Sequence, residues 1–457
     1  MAGIGFSLKK ILCHDSFARI LAAYSTAGML SSTPWIIAIL SIMILSLFIG
    51  NSPNYHQIVV QFQITITYLV AGSLIISGVA QHSFSRFVAD ELYVNNTSSI
   101  IPNVHGIICL VSTLAGCLSF VFVLCFFPLQ SIVFRFLFIG CFVTLSNLWI
   151  IINLLTGLKD YTIIILAFIV SYTSIVLLGF LLRHLGLEGL LFSYFFGQLE
   201  LIALLMSALY YQYPANKTIE FHFLKKNKMY KILMVSGLCF NLAVWVDKFV
   251  FWYTPITSHH IIGPLRSSLF YDVPIFIAYL TVTPGMAVLF FLVETNFSEY
   301  YLRFHEAIRD GQSLRYIQIM RDQMINHAYQ VIYAIVKIQT VTLILVFQMG
   351  DEILTLFHIS TIYKNLLFID VIGTSFQVIL LAILNLLYYM DRKEETLLLT
   401  ILFFVLNLSL SILSIQIGPF YYGFGFTSAL IITCTYGMYL LEKQFCDLEY
   451  KLIMLRK

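Results

Sequence analysis

Apolar runs long enough to cross a bilayer, about 20 residues each, recur along the whole chain and are parted by short polar breaks. They predict transmembrane helices over 29–49, 59–80, 104–127, 132–156, 162–182, 189–211, 232–253, 270–294, 328–349, 366–390, 396–417 and 424–441. Only Pro128-Leu129-Gln130-Ser131 separates the third run from the fourth, which predicts a tight hairpin. Ahead of the first run, Ile4, Leu8, Ile11 and Leu12 share one helical face, with Lys9 and Lys10 turned away. That is the pattern of an amphipathic helix lying in the membrane interface. No small-residue cleavage site precedes Asn51, so this start reads as an anchor and not as a cleaved signal.

Two polar segments are longer than the rest. Residues 212–231 carry Lys217, Lys225, Lys226, Lys228 and Lys231 and divide the spans into six (1–211) and six (232–457). Residues 295–327 read as a pair of amphipathic helices with arginines at 303, 309, 315 and 321. Two six-span halves joined by a basic loop are a frequent transporter layout. The fold class expected is an all-α polytopic membrane protein of about twelve transmembrane helices.

Composition strengthens this reading. Hydrophobic residues make up 60% of the 457 and charged residues 11%, against roughly 25% charged in soluble domains. The net charge of +3 gives no reason to expect nucleic acid as a partner. The placement of the basic residues says more. Twenty of the 26 fall in alternate connections counted from the N-terminus, three (Arg183, Arg266, Lys364) in the opposite set, and three (Arg135, Lys248, Lys337) inside spans. The positive-inside rule then puts both termini in the cytoplasm. None of the eight cysteines falls in an outer loop, so no disulfide is expected.

Catalytic chemistry is hard to find. There is no G-x-x-x-x-G-K-[ST] phosphate loop. In His305-Glu306-Ala307-Ile308-Arg309 an arginine stands where a second zinc-binding histidine would be needed. His259-His260 lies in an outer loop without a third ligand and reads as a surface pair. A membrane sugar polymerase would work on an outer face, yet the largest outer loop, 254–269, is too small to build a catalytic surface. No metal or other cofactor is expected, and transport is favoured over enzymatic work.

Several blocks then resemble a known family. They are Met1-Ala2-Gly3-Ile4-Gly5-Phe6 with Leu8 and Lys10, Ser32-Thr33-Pro34-Trp35, Gln61-Phe62-Gln63 with Thr67-Tyr68-Leu69, and Arg86-Phe87-Val88-Ala89-Asp90. Trp245-Val246-Asp247-Lys248 follows, then Tyr271 to Leu280, Pro284-Gly285-Met286-Ala287-Val288, Glu294-Thr295 and Glu299-Tyr300-Tyr301. In this order they resemble the PelG family, inner-membrane transporters of the Pel exopolysaccharide system. The last third of the chain matches in span count and apolarity alone.

The resemblance implies a flippase-like member of the multidrug/oligosaccharidyl-lipid/polysaccharide exporter (MOP) superfamily, with two six-helix bundles around a central cavity. It implies export of an amino-sugar-rich polysaccharide, or its precursor, across the bacterial inner membrane for biofilm matrix. It also implies a membrane complex with a cytosolic glycosyltransferase and the subunits PelD and PelE. A multidrug or ion-coupled small-molecule antiporter of the same superfamily is the alternative. The absence of an acidic residue from 29–49 weighs against the cation-exchanging branch.

Polar residues inside spans are the candidate site, because an ionisable group there costs about 2.5–3.5 kcal/mol on insertion scales and seeks protein or water. Asn241, Trp245, Lys248 and Trp252 share one helical face. Such a stripe suits a sugar path, by hydrogen bonds to hydroxyls and stacking on C–H faces, or else an interfacial belt of aromatics and snorkelling lysine. Asp247 points about 100° away and needs its own partner. Arg135, Asp272 and Asp370 lie toward outer helix ends, as gate residues or as ends reaching water. Glu200 and Lys337 lie deepest, as a pair across the halves or as groups bonded within each half. Pro274 and Pro284-Gly285 predict a kink or break in 270–294, either a moving element or a static packing feature.

The basic asymmetry predicts that a reporter active only outside the membrane is silent when fused after Tyr213 or Arg309 and active after Ser258. The reverse pattern would invert every loop assignment.

Overall fold

The computed structural model describes residues 37–45, 48–49, 53–155, 161–213, 215, 217–225, 228–356 and 360–448. The amphipathic helix read at the N-terminus, the Met1–Phe6 and Ser32–Trp35 blocks and about half of the span read at 29–49 lie outside them. Of that span, 37–45 is helical. Among the described residues, eleven helical segments are long and apolar enough to cross a membrane. Helix is the form this sequence must take in lipid, since it satisfies backbone N–H and C=O groups within one segment.

The elements are α1 (Pro53–Tyr93), α2 (Ile100–Phe126), α3 (Ile132–Leu155), α4 (Tyr161–Leu181), α5 (Leu187–Gln212) and α6 (Lys231–Tyr253). A short antiparallel hairpin of β1 (His259–Ile262) and β2 (Leu265–Ser267) follows. Then come α7 (Leu269–Leu280), α8 (Thr283–Leu292), α9 (Ser298–Arg309), α10 (Leu314–Gln348), α11 (Gly350–Leu356), α12 (Lys364–Tyr389), α13 (Lys393–Ile417) and α14 (Phe424–Cys446). Of the described residues, those up to Trp245 together with Trp252–Ser268 form one compact unit. Val246–Phe251 with those from Leu269 onward form the other, so α6 contributes to both.

In the first unit, α2 and α3 make the hairpin that the Pro128–Ser131 break predicts. Ser131 Oγ accepts the Phe134 N–H at 3.0 Å, and the Arg135 guanidinium caps the Pro128 carbonyl. Ser131 also donates to Glu188 in the first turn of α5. At the opposite ends of these helices the α5–α6 connection is strapped down. Its Glu220 N–H donates to the Pro102 carbonyl at 2.9 Å, and His222 N–H to Asn103 Oδ1 at 2.7 Å. Phe223 is buried edge-on against Phe84, with ring centroids 5.5 Å apart. Lys228 pairs with Glu91, and Tyr230 with Asp90; the Arg86–Asp90 pair expected from i,i+4 spacing closes at 3.3 Å. The 254–269 loop carries the β-hairpin, which the sequence reading did not foresee. Tyr68 of α1 holds it, donating to the Arg266 carbonyl at 2.8 Å.

In the second unit, the run read at 270–294 is broken after Leu280 and resumes at Thr283 with Pro284 in its first turn, while Pro274 lies inside α7. Side chains bond the carbonyls around this break, that of Leu280 being the one that Pro284 leaves without its helical donor. Thr374 Oγ1 of α12 donates to Ala278 O at 3.2 Å, Thr283 Oγ1 to Leu280 O at 3.0 Å, and Gln339 Nε2 of α10 to Val282 O at 3.5 Å. Gly285 makes room for Gln339, whose Cδ would lie 3.0 Å from a Cβ at that position. A π-turn over Val293–Phe297 leads into α9. Helices α9 and α10 form the amphipathic pair, reversed at Gly311 (φ +64°) and started by Ser313, whose Oγ accepts the Tyr316 N–H. Helix α10 has 35 residues, about 52 Å at 1.5 Å per residue, so it extends well past a hydrocarbon core of about 30 Å.

Helices α1 and α6 meet at glycines. A Cβ on Gly237 would collide with the Gly78 carbonyl and lie 3.0 Å from His82 Cδ2, whereas one on Gly116 would find its nearest atom at 3.8 Å. Gly237→Ala should therefore lower the melting temperature of the purified protein and Gly116→Ala should not. Equal behaviour of the two would remove the glycine contact as the reason for this crossing.

Candidate functional site

The densest polar constellation inside the membrane belongs to the second unit. Asp247 and Lys248 of α6 are 0% and 6% exposed, and the Lys248 ammonium donates to Asp247 Oδ2 at 3.0 Å. The partner that Asp247 was expected to find elsewhere is thus its own neighbour. The flexible four-carbon lysine stem overrides the angle between the two Cα–Cβ directions.

Further donors complete the carboxylate. Tyr271 Oη of α7 donates to Asp247 Oδ2 at 2.6 Å, and Asn407 Nδ2 of α13 reaches Oδ1 at 3.4 Å. Ser411 Oγ donates to Asn407 Oδ1 at 3.0 Å, which fixes the amide so that its NH₂ faces the aspartate. Lys248 also donates to Tyr279 Oη at 3.3 Å and lies 5.0 Å from the Tyr279 ring and 5.3 Å from the Phe426 ring. Tyr271 is held by stacking on Phe251, with centroids 3.9 Å apart.

Asp370 of α12 stands within electrostatic range of both Asp247 and Lys248. It is 0% exposed, and neither carboxyl oxygen has a hydrogen-bond partner among the described residues. Gly423, at φ +83° ahead of α14, brings backbone close to it; a Cβ there would sit 2.7 Å from Asp370 Oδ1. The cluster thus holds two carboxyls and one ammonium. An ionised carboxylate buried without compensation costs several kcal/mol. Donors surround Asp247 and leave Asp370 bare, so the arrangement is suited to hold one proton or one small cation.

The other predicted residues are distributed differently. In the first unit Asn241 spends its amide on the Leu74 carbonyl at 2.8 Å. Trp252 is 2% exposed and stacks on Tyr68 with centroids 4.5 Å apart, and half-buried Trp245 has its ring 6.3 Å from that of Trp252. Glu200 is half-buried, and its Oε2 has no partner among the described residues. In the second unit Lys337 is exposed and lies 4.1 Å from the ring of Tyr333, one turn earlier on its own helix. Half-buried Asp272 opens α7. Tyr271, Tyr279 and Asn407 were not anticipated as site residues. Asn407, an amide in the middle of an apolar run, carried the sequence signal that could have found it.

Comparison with known proteins now bears on the fold. The profile of a family described as "PelG: Putative exopolysaccharide Exporter (EPS-E)" matches residues 1–452. The chain belongs to the PelG family. No curated protein matches it. Among solved structures it is similar to an outward-facing multidrug resistance MATE family transporter of the MOP superfamily, at 13% identity and TM-score 0.61, covering 93% of this chain and 97% of the other. It is similar to MATE in the bent conformation at 12% identity and TM-score 0.63, covering 95% and 96%. A MOP superfamily transporter from Pyrococcus furiosus matches at 12% identity and TM-score 0.60, covering 93% and 97%. This PelG-family chain is therefore a multi-pass membrane transporter with a MATE-like fold, and not an enzyme.

Removing one member of a buried ion pair strands the other, at a cost of about 3–5 kcal/mol. Asp247→Asn should accordingly lower the thermal stability of the detergent-solubilised protein sharply. Asp247→Asn combined with Lys248→Met should recover much of the loss, and a double variant as unstable as the summed singles would show that the two do not act as a pair.

Proposed function

We propose that this transporter moves a Pel-type exopolysaccharide, or its precursor, outward across the cytoplasmic membrane by alternating access, supplying biofilm matrix. The match to an exopolysaccharide exporter family over nearly the whole chain is the observation that carries this reading. The basic connections, among them the α5–α6 strap and the α9–α10 hairpin, face the cytoplasm in this scheme, and so do both termini. They offer the surface for the glycosyltransferase and for PelD and PelE.

The α6 stripe of Asn241, Trp245, Lys248 and Trp252 forms part of the sugar path in this reading, with half-buried Asn241 and Trp245 more accessible to cargo than buried Lys248 and Trp252. The α6–α12 cluster is the coupling element. With a proton on Asp370, Lys248 and Asp247 form a neutral pair. Without it, a second carboxylate competes for the same ammonium. That change in Coulomb energy acts on Lys248, which belongs to the cluster and to the stripe alike, and so links protonation to the path. An ion-coupled small-molecule antiporter is the second reading, favoured by the same bare carboxyl.

A clean deletion in the host separates the two. Loss of exported polysaccharide with the glycosyltransferase still active is expected, while a normal matrix with altered drug resistance would establish the antiporter. Trp245→Ala and Asp370→Asn, restored in that strain, should each abolish export at near-normal protein abundance. Full export by Asp370→Asn would remove the coupling role and leave the export reading intact.

A further inference from the structure

One cavity is untouched by this account. At the end of the first unit that carries the α2–α3 turn, three connections and α1 enclose a cleft of about 720 Å³, within the range of about 300–1,000 Å³ for small-molecule sites. Its walls are the α2–α3 turn, the start of α5, the tip of the β-hairpin and Gln61 of α1. All three connections fall in the set that the basic asymmetry assigns to the outside, and the α5–α6 strap lies at the opposite helix ends.

The lining is mixed in a particular way. Gln61, Gln130, Glu188 and His260 supply polar groups, and Phe126, 53% exposed, supplies an aromatic face. Among the described residues, no lysine or arginine lines the cleft. Glu188 uses Oε1 to accept from Ser131, and no bond engages Oε2 among the described residues. His260 Nε2 lies 2.5 Å from the Gly263 carbonyl; that carbonyl can only accept, so Nε2 donates to it, and in this tautomer Nδ1 is the acceptor. Gly263, at φ +53°, packs on Phe127, where a Cβ would meet ring carbons at 2.6 Å, and this contact anchors the hairpin tip in the wall.

We propose that this outer cleft is a saccharide-binding site, selective for neutral or amino-bearing sugar units and closed to uronate-type anions. Amides, a carboxylate oxygen and an imidazole acceptor match the hydroxyl and ammonium donors of such sugars, and the Phe126 ring matches their C–H faces. Among the described lining residues Glu188 is the one acidic side chain and no lysine or arginine faces it, so an anionic sugar meets repulsion there. A single carboxyl also cannot supply the acid and base pair that glycoside hydrolysis needs, so the site binds without cleaving. Its role, resting on the export reading above, is to receive polymer as it leaves the transport path and to oppose its return.

The test is direct binding to the full chain in lipid nanodiscs, followed by ligand-observed NMR and calorimetry with three probes: a glucosamine tetramer, an N-acetylglucosamine tetramer and a galacturonate tetramer. The first two should bind and the third should not. Glu188→Gln should weaken the glucosamine tetramer about tenfold, as loss of one charge-assisted hydrogen bond predicts, and the acetylated tetramer much less. His260→Ala should weaken both. If Glu188→Gln lowers the melting temperature, Gln130→Leu and Phe126→Leu replace it, and both should weaken both sugars. No binding of either amino-sugar tetramer, preference for galacturonate, or affinity unchanged across these variants would overturn the proposal. The readout is binding, so failure here with matrix export preserved in the host would remove the cleft alone.

Discussion

Everything in this structure answers to one constraint: in hydrocarbon, a backbone polar group without a partner costs several kcal/mol. Continuous helices meet it at no further cost, which is why nearly all of the described chain is helical. The break between α7 and α8 is the instructive exception. Pro284 removes a donor and Thr283 restarts the helix; Thr283 itself takes up the freed Leu280 carbonyl, and Thr374 and Gln339 add bonds to the neighbouring carbonyls of Ala278 and Val282. The Leu280 carbonyl could not have been left to lipid. A packed side-chain network therefore had to come with the proline, and Gly285 is the clearance that admits it.

The same cost governs the charges, and each is handled differently. Arg135 sits close enough to a helix end to cap a turn carbonyl. Lys337 lies over the ring of Tyr333 on its own helix. Asp247 collects an ammonium, a phenol and an amide. Asp370, buried beside them, collects nothing among the described residues. A fold that satisfies one carboxylate three times over and leaves its neighbour bare is not arranged for stability alone, because an apolar residue in place of Asp370 would spare the cost of burying an unbonded carboxyl. The imbalance is what makes this cluster the candidate coupling element.

The first unit is asymmetric end to end in an informative way. At one end, Glu91, Asp90, Asn103 and Phe84 bind the basic α5–α6 connection closely, so that connection is part of the packed structure and not a slack tether. At the other end the connections stand apart around a polar and aromatic cleft. Transport in one direction needs two ends that differ, and here the difference is built from loops on similar helices.

Hydropathy alone determined the all-helical membrane class and the position of every span that lies in the described region, because the length of an apolar run is a local property that lipid reads directly. The proline break and the Arg86–Asp90 pair were equally legible, since each depends on residues within a turn or two. The Asp247–Lys248 pair was not: angular spacing along a helix assigned the two side chains to different faces, and only the packed surroundings show the lysine stem turning back. Tyr271 and Asn407 bond the same aspartate and Asp370 stands within its electrostatic range, from three helices more than 20 residues apart in sequence. The β-hairpin and its cleft likewise depend on Tyr68 and Phe127 meeting a loop far along the chain. Such meetings follow from how helices pack, and periodicity within one run carries no record of it.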